Sequence, residues 1–135
     1  MIRKPTDDDA ACAARLLYLS GPEVFRYFFI VSESQISGIL TMLFSRPEIL
    51  FSKENMLVAG GKDDIRGLIL TVPGSRMHTM EKNIGRYGRD MAAITGLFSA
   101  VRMMFRQGLS RHMAVVEPDE FYIANLAVDE KHRRK

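Results

Sequence analysis

The sequence has a single cysteine among its 135 residues. Cys12 therefore has no partner for an intrachain disulfide, and a cysteine-rich metal cage is excluded as well. No apolar stretch approaches the ~20 residues that a membrane-spanning helix requires. The N-terminal Met-Ile-Arg-Lys-Pro lacks the apolar core of a secretion signal. We expect a reducing, cytoplasmic location and no membrane partner.

Several common chemical motifs are missing too. The chain contains no G-x-S-x-G nucleophile motif, no G-x-G-x-x-G and no P-loop. Its three histidines, His78, His112 and His132, are scattered without the spacing of metal ligands. No metal site is predicted, and no motif indicates a nucleophilic triad, although composition alone does not exclude one.

Positive charge is scarce outside the C-terminal tail. The net charge is +3, and Lys131, Arg133, Arg134 and Lys135 supply four of the 19 Lys and Arg residues. The remaining 15 stand against 16 Asp and Glu residues, so the rest of the chain is close to neutral. A nucleic-acid-binding surface more often spreads over a face or groove. Nucleic acid is therefore disfavoured as a partner.

What is present is an ordinary globular composition, with 47% hydrophobic and 26% charged residues. The length predicts one domain, residues 1–135. Thr6 and Asp9 have the spacing of a capping box at the start of the first helix. The expected elements are a strand at 1–5, helices at 6–21, 22–31 and 34–46, a β-hairpin at 55–59 and 65–72, a helical region at 76–109 and a strand at 121–128. That order predicts an α/β (α+β) domain with a mixed, largely antiparallel sheet flanked by helices.

The helical region 76–109 is expected to contain two helices. Gly85, Gly88 and Gly96 interrupt its apolar spacing, and each glycine costs up to ~1 kcal/mol relative to alanine in a helix interior. We expect a joint near residues 85–88, with both helices laid across the sheet.

The last fifteen residues combine an apolar strand with a charged turn. Residues 121–128, FYIANLAV, are typical of a strand buried on both faces. The run DEKHRRK follows at 129–135, and backbone N–H groups with positive charge at the end of a strand suit an anion. Alone, the basic run is equally typical of a terminal arm; after this strand, phosphate binding is favoured. Asn125 is either a hydrogen-bonded amide of the sheet or a substrate contact.

This ending resembles the core motif of the GNAT superfamily of acyl-CoA-dependent N-acetyltransferases. In that family a central strand ends in a valine-like residue, Arg or Gln comes after four further residues, and Gly-x-Gly or Gly-x-Ala then opens a helix. Here Val128 is followed at that spacing by Arg133, with Arg134 and Lys135 next, and the glycines would come after them. The first strand, the acidic helix start and the 55–72 hairpin are similar to the family's N-terminal half, whereas the 76–109 insert departs from its tight connection. The resemblance implies a GNAT-like fold, truncated after its fourth strand and incomplete at the C-terminus.

The resemblance also implies an N-acetyltransferase that moves an acetyl group from acetyl-CoA to a primary amine of a small molecule or peptide. No metal is implied. The residues implied to bind acetyl-CoA are the last three of the strand, through their backbone, and three cations after it: Leu126, Ala127, Val128, Arg133, Arg134 and Lys135. The catalytic candidates lie on the strand or just before it: Tyr122 near the family's general-base position, Glu120 and Asn125.

Other interpretations stay open. The alternative is a non-catalytic binding module that uses the basic tail on nucleic acid or an acidic partner. If the strand 121–128 is left as a bare edge, it is expected to recruit further copies of the chain, because unpaired apolar edges pair with other strands. A homo-oligomer through this strand is therefore also expected.

Overall fold

A computed structural model describes residues 1–29, 31–62, 64–110 and 120–133. Its centre is a four-stranded sheet in the order β1-β2-β3-β4, in which each described pairing is antiparallel. The strands are β1 (Ile2–Arg3), β2 (Met56–Gly61), β3 (Asp64–Pro73) and β4 (Phe121–Val128). The predicted order of elements and the largely antiparallel sheet are confirmed.

The described helices form two groups along the chain, three before the β2–β3 hairpin and three between β3 and β4. Among the described residues they are α1 (Ala10–Ser20), α2 (Pro22–Phe29), α3 (Glu33–Phe44), α4 (Gly74–Asn83), α5 (Gly88–Thr95) and α6 (Leu97–Ser110).

The start of α1 is fixed by a capping box and a buried ion pair. Thr6 caps a short 3-10 turn, Asp7–Asp9, in which the Asp9 carboxylate accepts the Thr6 N–H at 2.8 Å. Arg3 on β1 donates its two Nη groups to that carboxylate at 2.8 and 3.1 Å and also reaches the carbonyls of Gly60 and Gly61. Asp9 is only 2% exposed. The predicted capping box is confirmed, and the ion pair joins β1, the end of β2 and the start of α1.

One face of the sheet forms the main core. Because side chains alternate across a strand, alternate residues of β2 and β3 are buried in one cluster with residues of α1 and α3. The buried apolar residues of this layer include Ala13, Leu17, Ile36, Leu40, Met56, Val58, Leu68 and Leu70. This packing buries one face of β3, and β3 in turn pairs with β4. Val72, near the end of β3, belongs instead to a second cluster with Met77 and Met80 of α4.

The region predicted as two helices contains three. The joint predicted at 85–88 is present as a 3-10 segment, Ile84–Tyr87. Gly96 makes a second break with φ +90°, a left-handed conformation that ends a helix and favours glycine. The three helices are not laid across the sheet together: α4 contacts β3, whereas α5 packs on α3 and α6 packs on α2 and α5.

The prediction that β4 is buried on both faces is wrong. It is the outermost strand of the described sheet, and Ala127 is the one residue along it that is buried. The face opposite α1 leaves Ile123 56%, Leu126 64% and Val128 39% exposed. An apolar run predicts a strand that is buried, but it does not specify which elements cover its two faces. In this chain α1 covers one face of β4.

The Arg3–Asp9 pair should carry a measurable part of the stability. Asp9→Asn is expected to lower the free energy of unfolding by about 1.5–3 kcal/mol, because a neutral amide replaces the buried carboxylate that accepts two charge-assisted hydrogen bonds from Arg3. Chemical denaturation at pH 7 measures the loss. Asp8→Asn, an exposed carboxylate of the same turn, is the control and should change stability by less than about 0.5 kcal/mol.

The same pair predicts a pH dependence. The hydrogen bonds from Arg3 hold the pKa of Asp9 below its ordinary value. This stabilisation is therefore complete above the pKa of an unfolded aspartate, ~3.9, and is lost as the pH falls through the lower folded pKa. The free energies of unfolding of wild type and Asp9→Asn should converge at low pH. A difference between them that persists there would contradict the assignment.

The exposed face of β4 predicts self-association. Sedimentation velocity over a concentration series should show reversible association of the wild-type chain, since a contiguous apolar surface drives contact between copies. Ile123→Lys should shift the distribution toward monomer. Val24→Lys introduces the same charge at an exposed apolar position of α2 and should leave association as in wild type. A monodisperse wild-type monomer at high concentration counts against the prediction.

Candidate functional site

Strand β4 contains a β-bulge in its middle. Asn125 pairs with Leu70, but the next residue of β3, Thr71, pairs with Ile123. Ala124 is therefore an extra residue on β4 that has no counterpart on β3. Bulges of this kind bend an edge strand and re-aim its peptide groups, and they are frequent beside active sites.

Beyond the bulge, alternate peptide groups of β4 face away from β3. The Asp129 N–H donates to the Arg66 carbonyl at 2.8 Å, and hydrogen-bonded positions alternate along an antiparallel pair. Ala127 therefore directs its N–H and C=O toward β3, as Asp129 directs its N–H. The peptide groups of Leu126 and Val128 point to the outer edge, where no strand of the described chain pairs with them.

The side chain of Asn125 is held by the last turn of α1. Its Nδ2 donates to Ser20 Oγ at 2.6 Å, and Ser20 Oγ donates in turn to the Leu17 carbonyl at 2.5 Å. The Asn125 side chain is half-buried where β4 packs on α1. It is therefore a hydrogen-bonded amide of the sheet, and its fixed orientation is compatible with a substrate contact as well.

The turn after β4 is organised by Asp129. Its carboxylate accepts the Arg15 Nη2 from α1 at 2.7 Å and the Lys131 N–H at 3.0 Å. The Arg15 hydrogen bond, followed by that of Lys131, holds the pKa of Asp129 below its ordinary value. The carboxylate is thus ionised and already paired at neutral pH. A cleft of about 430 Å³ lies beside this contact and is lined by Arg15, Leu19, Asp129, Glu130 and Lys131.

The cations of the turn lie beside the open edge. Arg133 Nε donates to the Val128 carbonyl at 2.9 Å, which confirms that this carbonyl faces outward. Lys131 and Arg133 are exposed. Arg134 and Lys135, the other two cations expected to bind phosphate, lie outside the described residues.

The two remaining catalytic candidates lie at the opposite end of β4. Glu120 precedes the strand, is exposed, and accepts the Gly74 N–H on its carbonyl at 2.7 Å. Tyr122 pairs with Val72 and is partly exposed. The structure therefore brings Leu126, Val128 and Arg133 together at the C-terminal end of β4 and places Asn125 at the bulge. Tyr122 and Glu120 lie on the N-terminal side of the bulge.

Two residues of α1 join the site without having been predicted. Arg15 binds the turn and Ser20 binds Asn125. Arg15 is the only charged residue within α1, and a lone charge in an otherwise apolar helix is a signal that could have indicated it. Ser20 carries no such signal, because its role depends on how α1 docks on β4.

Neither metal ligands nor a membrane helix appears in the part of the chain that the structure describes. No three His, Cys, Asp or Glu side chains among those residues are grouped to hold a metal ion. The helices described there are too short or too polar to cross a bilayer.

Comparisons with known proteins support the fold. No protein-family model matches the chain, and no curated protein matches it. A crystal structure of an acetyltransferase has a TM-score of 0.65 and 21% identity, over 99% of this chain and 66% of its own. An N-acetyltransferase from Staphylococcus aureus Mu50 has a TM-score of 0.62 and 16% identity, over 100% of this chain and 68% of its own. The chain spans about two thirds of the length of each.

The predicted GNAT-like fold is thereby confirmed: the chain has the fold of solved acetyltransferases. At these identities the likeness concerns the fold, and the activity must be inferred from the site.

The Arg15–Asp129 contact predicts a shift in one titration. Arg15→Gln should raise the pKa of Asp129, because it removes the charged donor that most stabilises the carboxylate. The carboxyl carbon of Asp129, followed by NMR across acidic pH, reports the midpoint. Arg66→Gln is the matched control, since the Arg66 side chain binds Asp64 instead. Equal midpoints in the two variants would refute the assignment.

Proposed function

We propose that the chain is an acyl-CoA-dependent N-acyltransferase that moves an acetyl group from acetyl-CoA to a primary amine. The observation that carries the proposal is the outer edge of β4 beyond the bulge. There, outward peptide groups lead directly into a cationic turn. The shared fold with solved acetyltransferases supports this use of the edge.

The open edge suits the amide-containing arm of a coenzyme. Leu126 offers an outward N–H and C=O, and Val128 offers an outward N–H, so an extended ligand can pair with them as an added strand would. The Ala127 peptide faces β3, so it supports the ladder. Of the three strand residues expected to bind the arm, we therefore propose that Leu126 and Val128 contact it.

The turn suits the coenzyme's phosphates. Lys131 and Arg133 supply exposed positive charge at the end of the strand, and Arg134 and Lys135 add two further cations in sequence. Asp129 would repel phosphate if its charge were free, but Arg15 compensates it at 2.7 Å. Charge-assisted contacts of guanidinium and ammonium groups with phosphate are strong and favour this placement.

For acetyl transfer, the main task of the chain is to place the amine next to the thioester. Bound acetyl-CoA supplies a reactive thioester. The neutral amine nitrogen attacks the carbonyl carbon, an N–C bond forms, the C–S bond breaks, and the thiolate leaves and is protonated by the proton released from nitrogen. An outward N–H at the bulge end of the edge would stabilise the oxygen charge that develops. Tyr122 and Glu120 are the proposed candidates for proton transfer, directly or through water.

Replacing one edge residue by proline tests the backbone role. Leu126→Pro removes the outward N–H while leaving the inward bonds of β4 in place, and proline is accepted in edge strands whose N–H faces outward. Acetyl-CoA affinity, measured by calorimetry, should fall about tenfold further than in Leu126→Ala, which keeps the N–H.

The outcomes of this test are distinct. Ala127→Pro deletes an inward N–H and should lower the melting temperature, whereas Leu126→Pro should lower it much less. Equal acetyl-CoA affinities for Leu126→Pro and Leu126→Ala would remove the backbone contact from the proposal. A wild-type chain that binds no acetyl-CoA and acetylates no primary amine would overturn the proposed function itself.

A further inference from the structure

The hydrogen bonds around Asn125 have a fixed direction. A serine hydroxyl has one hydrogen, and that of Ser20 is donated to the Leu17 carbonyl, which can only accept. Ser20 Oγ can therefore only accept from Asn125, so the amide must present Nδ2 to it, at 2.6 Å. The flipped amide would place Oδ1 against the lone pairs of Ser20. This direction removes the usual ambiguity between the two ends of an asparagine amide.

The fixed amide leaves an acceptor at the bulge. With Nδ2 directed to Ser20, Oδ1 is the acceptor end of this half-buried amide, and no donor in the described part of the chain is bonded to it. The carbonyl oxygen of an amide recognises N–H or O–H donors and has no charge of its own. Asn125 directly follows the bulge residue Ala124, so Oδ1 stands where β4 changes direction.

We infer that Asn125 Oδ1 binds an N–H of the acceptor amine, and that Ser20 is a positioning residue that fixes Asn125 for this contact. The inference rests on the proposed function. In that function the coenzyme arm pairs with the outward peptides of Leu126 and Val128. The amine is then the remaining N–H donor, and it must come within about 3–3.5 Å of the thioester carbon.

The contact also specifies the acceptor class. A primary amine keeps an N–H for Asn125 Oδ1 while its lone pair attacks the thioester. A tertiary amine has no N–H to donate, and an alcohol has a single O–H that must be released as its oxygen attacks. The site should therefore accept primary amines and reject O-acceptors of the same shape.

Steady-state kinetics of the purified chain test the role of Ser20. Rates of thiol release from acetyl-CoA are measured with spermidine, phenethylamine and a lysine-containing peptide as acceptors. Ser20→Ala should raise KM for the amine about five- to tenfold, the effect of losing one oriented hydrogen bond. KM for acetyl-CoA should stay within twofold, and Ser20→Thr, which keeps a hydroxyl, should restore the amine KM.

A matched control separates positioning from structure. Thr41→Val removes a hydroxyl that likewise donates to a helix carbonyl, that of Ser37 at 2.7 Å, but accepts no bond from Asn125. It should leave both KM values unchanged. Asn125→Ala should reproduce the Ser20→Ala effect, and combining the two changes should add little, because they break one chain of hydrogen bonds.

Other outcomes would contradict the inference, the acceptor class or the proposed reaction. An unchanged amine KM in Ser20→Ala, or equal rises in both KM values, overturns the inference and leaves the proposed function standing. Equal activity with phenethylamine and 2-phenylethanol overturns the acceptor class. Acetyl-CoA binding without acetylation of any amine overturns the inference together with the proposed transfer reaction.

Discussion

The docking of α1 against the sheet is the constraint on which the rest of the structure depends. Three polar contacts hold the helix along its length: Asp9 with Arg3 at its start, Arg15 with Asp129 in its middle and Ser20 with Asn125 at its end. Between them, buried alanines and leucines fill the space above β3. Because a helix is stiff, with a rise of about 1.5 Å per residue, these contacts fix the distance between the bulge and the charged turn. The site on β4 therefore takes its geometry from α1.

Within the described part of the chain, β4 is contacted on one edge and one face, and its other edge and face are uncovered. Pairing with β3 and packing on α1 determine the direction of its peptide groups, whereas the open edge and the exposed face determine what they can bind. The proposed coenzyme arm and the predicted second copy of the chain would both pair with the outer edge. Binding of one should therefore oppose binding of the other.

Local signals predicted most of the fold, and tertiary contacts account for what they missed. The capping box at Thr6 and the glycines near 85–88 act within a few residues, so they located the start of the first helix and the joint between helices. The exposure of β4 could not be predicted, since an apolar run does not identify the element that covers it. The bulge at Ala124 arises from register with β3, and the roles of Arg15 and Ser20 arise from the packing of α1 on β4. None of these has a local sequence signal, apart from the isolated charge of Arg15.

In the proposed function, backbone groups of the site bind the coenzyme and side chains bind the acceptor. A fold comparison can support the backbone contacts only. Outward peptides on β4 are produced by strand geometry and the bulge, so different sequences with this fold can offer the same backbone contacts to a coenzyme. The identity of an acceptor must instead depend on side chains placed near the bulge. Asn125 is such a side chain, and its orientation is defined because both hydrogen bonds of the Ser20 hydroxyl are assigned. For the proposed function, affinity for acetyl-CoA and choice of acceptor should therefore be separable by substitution on the same strand.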